Sequence, residues 1–356
     1  MIKKILVFIL VVFVSLTSYA QEETETSISP LTFSGFVDFY YLYDLNQPST
    51  NDRSPYAFAF HRHNEMNLNL GFLKGAYDNG KYFANLALQT GTYARANYAA
   101  EPPELRMIQE ANVGIRFNDK LTLDAGLFGS HIGVESAVNQ GCYNLTRSLM
   151  ADGSPYFETG ARLSYTPNEK WLFSGLVLNG WQNIYDNNDN KAVGAQITFS
   201  PNETFSFNYS NFYGNEQPKG TPARFRFFHD FYIVANDIFP GFSATAVFDY
   251  MTQENATGGN DVMFSPALLL YYRAEKIGVG GRVEHYNDAN EIINATGTPN
   301  GFQVSSASVN LDLYLKENVM WRFEARGYDS QDAILLSNAA PSNSGAIIAT
   351  SISMVF

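Results

Sequence analysis

The chain has 356 residues, 45% hydrophobic and 15% aromatic, with one cysteine and a formal net charge of −12. That charge argues against a nucleic-acid surface. The lone Cys142 excludes an intramolecular disulfide, and no Cys/His spacing fits a zinc site, so neither metal nor cofactor is expected.

At the start, Lys3 and Lys4 precede an apolar run from Ile5 to Leu16, then Ser18-Tyr19-Ala20 and an acidic QEETET. A positive start, a short hydrophobic core and small residues at −3 and −1 describe a secretory signal peptide over 1–20. The run is too short to span a bilayer as a helix. Residues 21–31 read as a short periplasmic N-terminal segment before the first strand.

From residue 32 the pattern is alternation rather than helical periodicity. Strands are predicted at 32–43, 58–76, 81–92, 106–117, 120–128, 155–166, 170–180, 191–200, 203–213, 224–235, 241–252, 262–273, 276–286, 302–314, 319–329 and 344–356. In 58–76, His61, His63, Glu65, Asn67 and Asn69 oppose Met66, Leu68, Leu70 and Phe72. In 106–117, Arg106, Glu110, Asn112 and Arg116 oppose Met107, Val113, Ile115 and Phe117. In 319–329, Arg322, Glu324 and Arg326 oppose Trp321, Phe323 and Ala325. Each is a period of two with one polar face.

The connections alternate in length. Short polar turns such as Asp78-Asn79-Gly80 and Lys316-Glu317-Asn318 are interleaved with longer loops rich in Asn, Asp, Gly and Pro. A soluble sandwich has no reason to sort its loops by parity. A transmembrane up-and-down antiparallel β-barrel does, with short periplasmic turns and long external loops. The last residues, IIATSISMVF, place Ile348, Thr350, Ile352, Met354 and Phe356 on one face, as the closing strand of a bacterial outer-membrane barrel does. The expected fold is thus an all-β barrel of about 16 strands over 32–356, in the outer membrane of a Gram-negative bacterium. Its assembly machinery is expected to read the strand ending in Phe356.

Sixteen strands enclose a lumen too wide for wall side chains alone to fill. Lipid-facing charge costs about 2–4 kcal/mol per Arg near the midplane, so the polar faces are expected to point inward. They supply Arg106, Glu110, Arg116, Glu158, Arg162, Arg282, Arg322 and Arg326 as candidate pore-lining residues. An alternative makes many of them structural ion pairs along the wall. Tyr40, Tyr41, Tyr43, Trp171, Trp321, Tyr271 and Tyr272 fall where two aromatic girdles would lie.

After the fifth strand, GSHIGVESAVNQGCYNLTRSLMADGSP gathers His131, Glu135, Ser136, Cys142 and Arg147. Those are the side chains of acyl-transfer and thiol enzymes, but no GxSxG elbow surrounds Ser136. By parity the segment is the third external loop and the longest. Its apolar residues favour packing, so loop 129–154 is expected to fold toward the lumen and narrow it, with Glu135 and Arg147 at the constriction. No enzymatic activity is expected.

The run GLFGSHIGVESAVNQGCYNLTRSLMADGSPYFETGARLSYTPNEKWLFSGLVLNGWQ resembles part of an outer-membrane β-barrel porin family common in Bacteroidota, the OmpL-like or porin-2 group. LALQTGTYARANYAAEP and NYSNFYGNE carry the same resemblance, and LTRSLMADGSPYFETGA is its most specific part. It implies a porin-type barrel passing small hydrophilic solutes or ions, and it brings no catalytic residues. The rival expectation is a plugged structural or adhesin-like barrel. An oligomer of identical chains is an expectation by analogy with general porins of this size.

Overall fold

The computed structural model describes residues 30–53 and 56–356. The predicted signal peptide and residues 21–29 lie outside the described residues. The strands are β1 (Leu31–Asp44), β2 (Met66–Asp78), β3 (Tyr82–Thr90), β4 (Ile108–Asn118), β5 (Leu121–Gly129), β6 (Phe157–Asn168), β7 (Trp171–Leu178) and β8 (Ala192–Phe199). They continue with β9 (Phe205–Asn215), β10 (Phe225–Phe239), β11 (Phe242–Glu254), β12 (Asn260–Arg273), β13 (Ile277–Asp288), β14 (Phe302–Lys316), β15 (Val319–Ser330) and β16 (Ser344–Val355). Every strand pairs with its sequence neighbours, and β1 pairs with β16 to close the barrel. At the seam Gly35 and Phe356 exchange two main-chain hydrogen bonds of 2.7 and 3.0 Å. Closure leaves no sheet edge unpaired, which is the condition for crossing lipid with strands.

Alternation places the two faces. On β15, Trp321, Phe323 and Ala325 face outward while Met320, Arg322, Glu324 and Arg326 are buried inside. Outward apolar side chains such as Leu73, Val113, Val177, Ile233, Val283, Val309 and Ile352 are exposed for lipid to cover. Trp171 stacks between Phe173 and Phe199 at the short-turn end, and Tyr272 is exposed there. Tyr40 and Tyr271 instead turn inward and are buried, one edge-on to Phe60 and the other stacked on Tyr143.

Eight loops join the strands at the other end, all but L6 longer than any turn opposite: L1 (45–65), L2 (91–107), L3 (130–156), L4 (179–191), L5 (216–224), L6 (255–259), L7 (289–301) and L8 (331–343). L2 carries a short helix, α1 (Thr92–Asn97). L3 carries α2 (Leu149–Gly153), capped by Ser148, which accepts from the Ala151 N–H.

The second strand differs from the sequence expectation. Residues 58–65 belong to L1, where Phe60 and Asn64 take positive φ values of 53° and 55°, incompatible with a strand. A bulge between Asp38 and Phe39 shifts the β1–β2 register, so Leu70 follows Leu68 across the ladder. An extra residue in one strand reverses the faces beyond it. Met66 therefore faces outward, whereas Leu70 is buried inside with Phe72 packed against the same cluster.

The loop-side half of the lumen is apolar and packed. Phe128, Leu176, Phe212, Phe228, Met251, Tyr286 and Phe302 of the wall cluster with Ile132 and Leu149 of L3, Ile292 of L7 and Leu335 of L8. Tyr40, Leu42, Leu70, Leu127, Phe157 and Ile347 cluster with Phe60 of L1, Tyr93 and Tyr98 of L2 and Leu145 of L3. Each such side chain contributes roughly 1.5–3 kcal/mol by leaving water. The turn-side half is lined by polar groups, including Asn85, Asp124, Arg162, Ser174, Asn208, Asn310 and Asp312.

Candidate functional site

L3 descends through the lumen as a hairpin that reaches the short-turn end. At its tip Gln140 Nε2 donates to Ser353 Oγ (3.1 Å) and to the Asn318 carbonyl of the β14–β15 turn (3.3 Å). Tyr143 donates to Asn236 Oδ1, close to the β10–β11 turn (3.4 Å). Gly280 makes room for it, since an added Cβ there would stand 2.5 Å from the Tyr143 carbonyl oxygen.

The wall holds this hairpin by its main chain. Arg322 donates to the carbonyls of Asn139, Cys142 and Tyr143 (2.5, 3.0 and 3.0 Å) and grips Asp312 through Nε and Nη2 (2.7 and 2.9 Å). Arg282 donates to the Thr146 carbonyl (2.8 Å) and Arg326 to that of Arg147 (2.7 Å). Glu324 accepts the Thr146 N–H and Glu284 the Leu149 N–H (2.5 and 2.6 Å). A buried loop must find partners for its N–H and C=O groups; β13–β15 provide many of them with charged side chains, whose hydrogen bonds are the stronger kind. Inside the loop, buried Arg147 ties the arms together, donating to the Leu145 and Ala137 carbonyls (3.1 and 2.9 Å). Glu135 accepts from the Ser148 N–H (3.1 Å) and from its hydroxyl. Asn139 donates to Asp38 Oδ2 on β1 (2.9 Å).

The descending arm is pinned by His131. Its Nδ1 lies 2.9 and 2.8 Å from the two Glu158 carboxylate oxygens, and its Nε2 lies 2.8 Å from the Asn211 carbonyl oxygen. Both ring nitrogens thus meet acceptors, which requires a doubly protonated ring. Burial opposes that charge, but Glu158 and the Asn211 carbonyl outweigh it and hold the imidazole above its ordinary range. With the Asn211 carbonyl turned inward, the Ala195 N–H takes the Asn211 side-chain Oδ1 (3.1 Å). Next along the arm, Gly133 donates to Asp230 Oδ2 (2.9 Å). The ring fits because β8 has Gly194, where a Cβ would stand 2.7 Å from His131 Nε2. Gly194→Val is therefore expected to expel the ring while the barrel still closes. The Ile132 and Gly133 amides should then exchange with deuterium at least tenfold faster, and unchanged protection would refute this.

The wall from β2 to β7 is different. There Lys74 pairs with Glu110 (2.6 Å) and Arg162 with Asp124 (3.0 Å), and the side chains of Lys74 and Arg162 are each 28% exposed. Those of Arg282, Arg322 and Arg326 are 0–3% exposed. Asn85 donates to Asn112, Asn112 to Glu110, and Ser164 meets Ser174 (2.9, 2.9 and 3.2 Å). Farther toward the turns Arg116 forks onto Asp78 (2.7 and 2.8 Å). L3 is thus held chiefly by β13–β16, with a lane of polar side chains along β2–β7 beside it. A cavity of about 270 Å³ lies at its loop-side end, between Lys74 and Glu110 on the wall and Ser136–Val138 of L3. A second, of about 540 Å³, lies at the short-turn end between the loop tip and Tyr271, Arg273 and Tyr314.

The sequence candidates therefore divide. Glu110, Arg116 and Arg162 stand on the lane; Arg282, Arg322 and Arg326 hold L3; Glu158 holds His131; Glu135 and Arg147 shape the hairpin. Arg106 sits in L2, off the strand predicted from 106, where it donates to the Ala99 and Glu101 carbonyls (2.8 Å each). Arg226, on β10, lies over the Trp181 ring and donates to Gln253 Oε1 (3.0 Å). Ser136 Oγ donates to the Val138 carbonyl (3.0 Å), so it and the clamped His131 form no pair. Sequence reasoning missed Lys74, because the β2 bulge reverses its face, and Asp38, Asn310 and Gly194, whose partners belong to the loop.

A family model described as "Putative beta-barrel porin-2, OmpL-like" matches residues 30–356. A search of curated proteins finds no relative by sequence. Among solved structures, the fold is similar to an anion-selective porin from Comamonas acidovorans (TM-score 0.62, 10% identity, 92% of this chain and 99% of that one). It is also similar to the trimer form of OmpT from Vibrio cholerae (TM-score 0.60, 6% identity, 92% and 99%). Pseudomonas putida OprB is a third (TM-score 0.59, 9% identity, 92% and 94%).

Proposed function

We propose, from the premise that this chain belongs to the OmpL-like porin-2 family and is an outer-membrane porin of a Gram-negative bacterium, that small hydrophilic solutes diffuse along the β2–β7 lane. L3 acts as the partition that narrows the bore to that lane. The observation that carries this reading is the contrast in exposure. Lys74, Glu110 and Arg162 are partly exposed, with Asp124 buried beneath Arg162, whereas the arginines of β13–β15 are spent on the loop. Charges of both signs along the lane give a mixed field with weak ion preference. Recognition of the terminal strand by the assembly machinery, and association of identical chains as in OmpT, belong to the same proposal.

Planar-bilayer recordings in a salt gradient test it. Lys74→Glu should shift the reversal potential toward cations and Arg162→Glu in the same direction, while Glu110→Lys should shift it the other way. Reversal potentials unmoved by all three would sink the lane. A closed barrel without channel activity is the second reading, favoured by the apolar packing of the loop-side half; purified, folded protein that never conducts would establish it.

A further inference from the structure

We propose that L2 is a lid over the loop-side end of the lane, latched to L4 by Glu101, and that passage requires this latch to part. The inference rests on the lane being the route. L2 leaves β3 at Gly91, whose φ of 127° and contact with the Asn69 carbonyl, 2.3 Å from where a Cβ would stand, admit only glycine. From that pivot α1 brings Tyr93 and Tyr98 against the 270 Å³ cavity, where Lys74 and Glu110 also stand. Tyr98 lies flat on Phe157, with centroids 4.1 Å apart at 17°, and Tyr93 stands edge-on to Tyr156. Both tyrosines are 2% exposed. The lane therefore ends on an aromatic surface, half of it supplied by a loop.

L2 is stiff within itself, since Arg106 splints it through the Ala99 and Glu101 carbonyls. Its hold on L4 is concentrated. The buried Glu101 carboxylate accepts the Ile184 N–H through one oxygen and the Tyr185 N–H through the other (2.7 and 3.1 Å). Gln182 adds two long bonds to Asn97 (3.3 and 3.4 Å). L3 is tied to β1, β6, β9, β10 and β13–β16, and moving it would strand several buried charges. Swinging L2 at Gly91 breaks the Glu101 and Gln182 bonds and the 3.3 Å Tyr40–Thr92 bond, and it lifts Tyr93 and Tyr98 off the cavity. It parts no buried ion pair among the described residues and leaves L3 in place. Of L2 and L3, the loop with fewer anchors is the one standing over the lane.

Single-channel recording on the full-length barrel tests this, in a Cys142→Ser background. Glu101→Ala should raise the open probability several-fold over the parent. Asn97→Cys with Gln182→Cys, joined by a short reducible bis-thiosulfonate, should be silent and should recover on reduction. That pair keeps the test decisive if Glu101→Ala folds poorly. If the parent, Glu101→Ala and the bridged pair all conduct alike, the lid is overturned and the lane survives. If no variant conducts, even with residues 92–105 replaced by a Gly-Ser linker, lid and channel fall together.

Discussion

Arg322→Met is expected to release the tip of L3 and to cost the barrel more stability than any other single change in the lumen. The guanidinium is fully buried and makes five hydrogen bonds, three to loop carbonyls and two to Asp312. Methionine fills the stem's volume and supplies no donor. Asp312 keeps Tyr271 and Asn310 as donors (2.8 and 2.5 Å), but its negative charge loses the only cation within ion-pair distance among the described residues. Removing one partner of a buried pair typically costs about 3–5 kcal/mol. The urea midpoint of the folded barrel should fall, and proteinase K should cut between Asn139 and Thr146, a segment the wild type protects. Arg322→Met with Asp312→Leu should recover part of the midpoint and leave the loop cleavable, because the carbonyls stay unpaired. Normal protection in the single variant would contradict the assigned role.

The second large effect concerns pH. The folded state holds His131 above the ordinary value of 6.5. For a base whose folded pKa is raised, the stabilisation is complete below the unfolded value and is lost as pH rises through the folded one. The L3 anchor is therefore expected to be firm in acid and to loosen on the alkaline side of 6.5. A neutral ring offers one N–H to two acceptor sites, so either Glu158 or the Asn211 carbonyl loses its bond. Asp230 is the other anionic group near the ring and also favours its charge. Glu158→Gln removes the main partner and should destabilise the arm by about 3 kcal/mol or more. It should also lower the pH at which the His131 ring resonances titrate in NMR spectra of labelled protein. A pH-independent ring in the wild type with no change in the variant would refute the clamp.

Strand number and orientation were legible because a wall with lipid on one side writes its alternation into every segment; β15, with Trp321 and Phe323 against Arg322 and Glu324, needs no tertiary information. The β2 face was not legible. A bulge has no residue signature there, and Phe60 sits at positive φ against its own preference, held by tertiary packing. That slip hid Lys74. The inward charges were readable as inward, but their use was not, because Arg282, Arg322 and Arg326 meet backbone carbonyls, which every residue carries. The catalytic look of His131, Ser136 and Cys142 came from residue types alone. The fold places His131 between Glu158 and a carbonyl, and Cys142 within reach of the Ser136 main chain.

The course of L3 also orders events in time. Its tip joins Asn139 to Asp38, 101 residues earlier, and Gln140 to Ser353, 213 residues later. Such distant partners cannot meet until the chain is long enough to bring them together, and closing so large a loop is slow. Both belong to strands that flank the seam, so the tip's final seat exists only once β16 has zipped onto β1. The hairpin is therefore among the last pieces to settle. A nascent barrel stalled before its final strand should keep an open bore, and filling of that bore would mark the completed molecule.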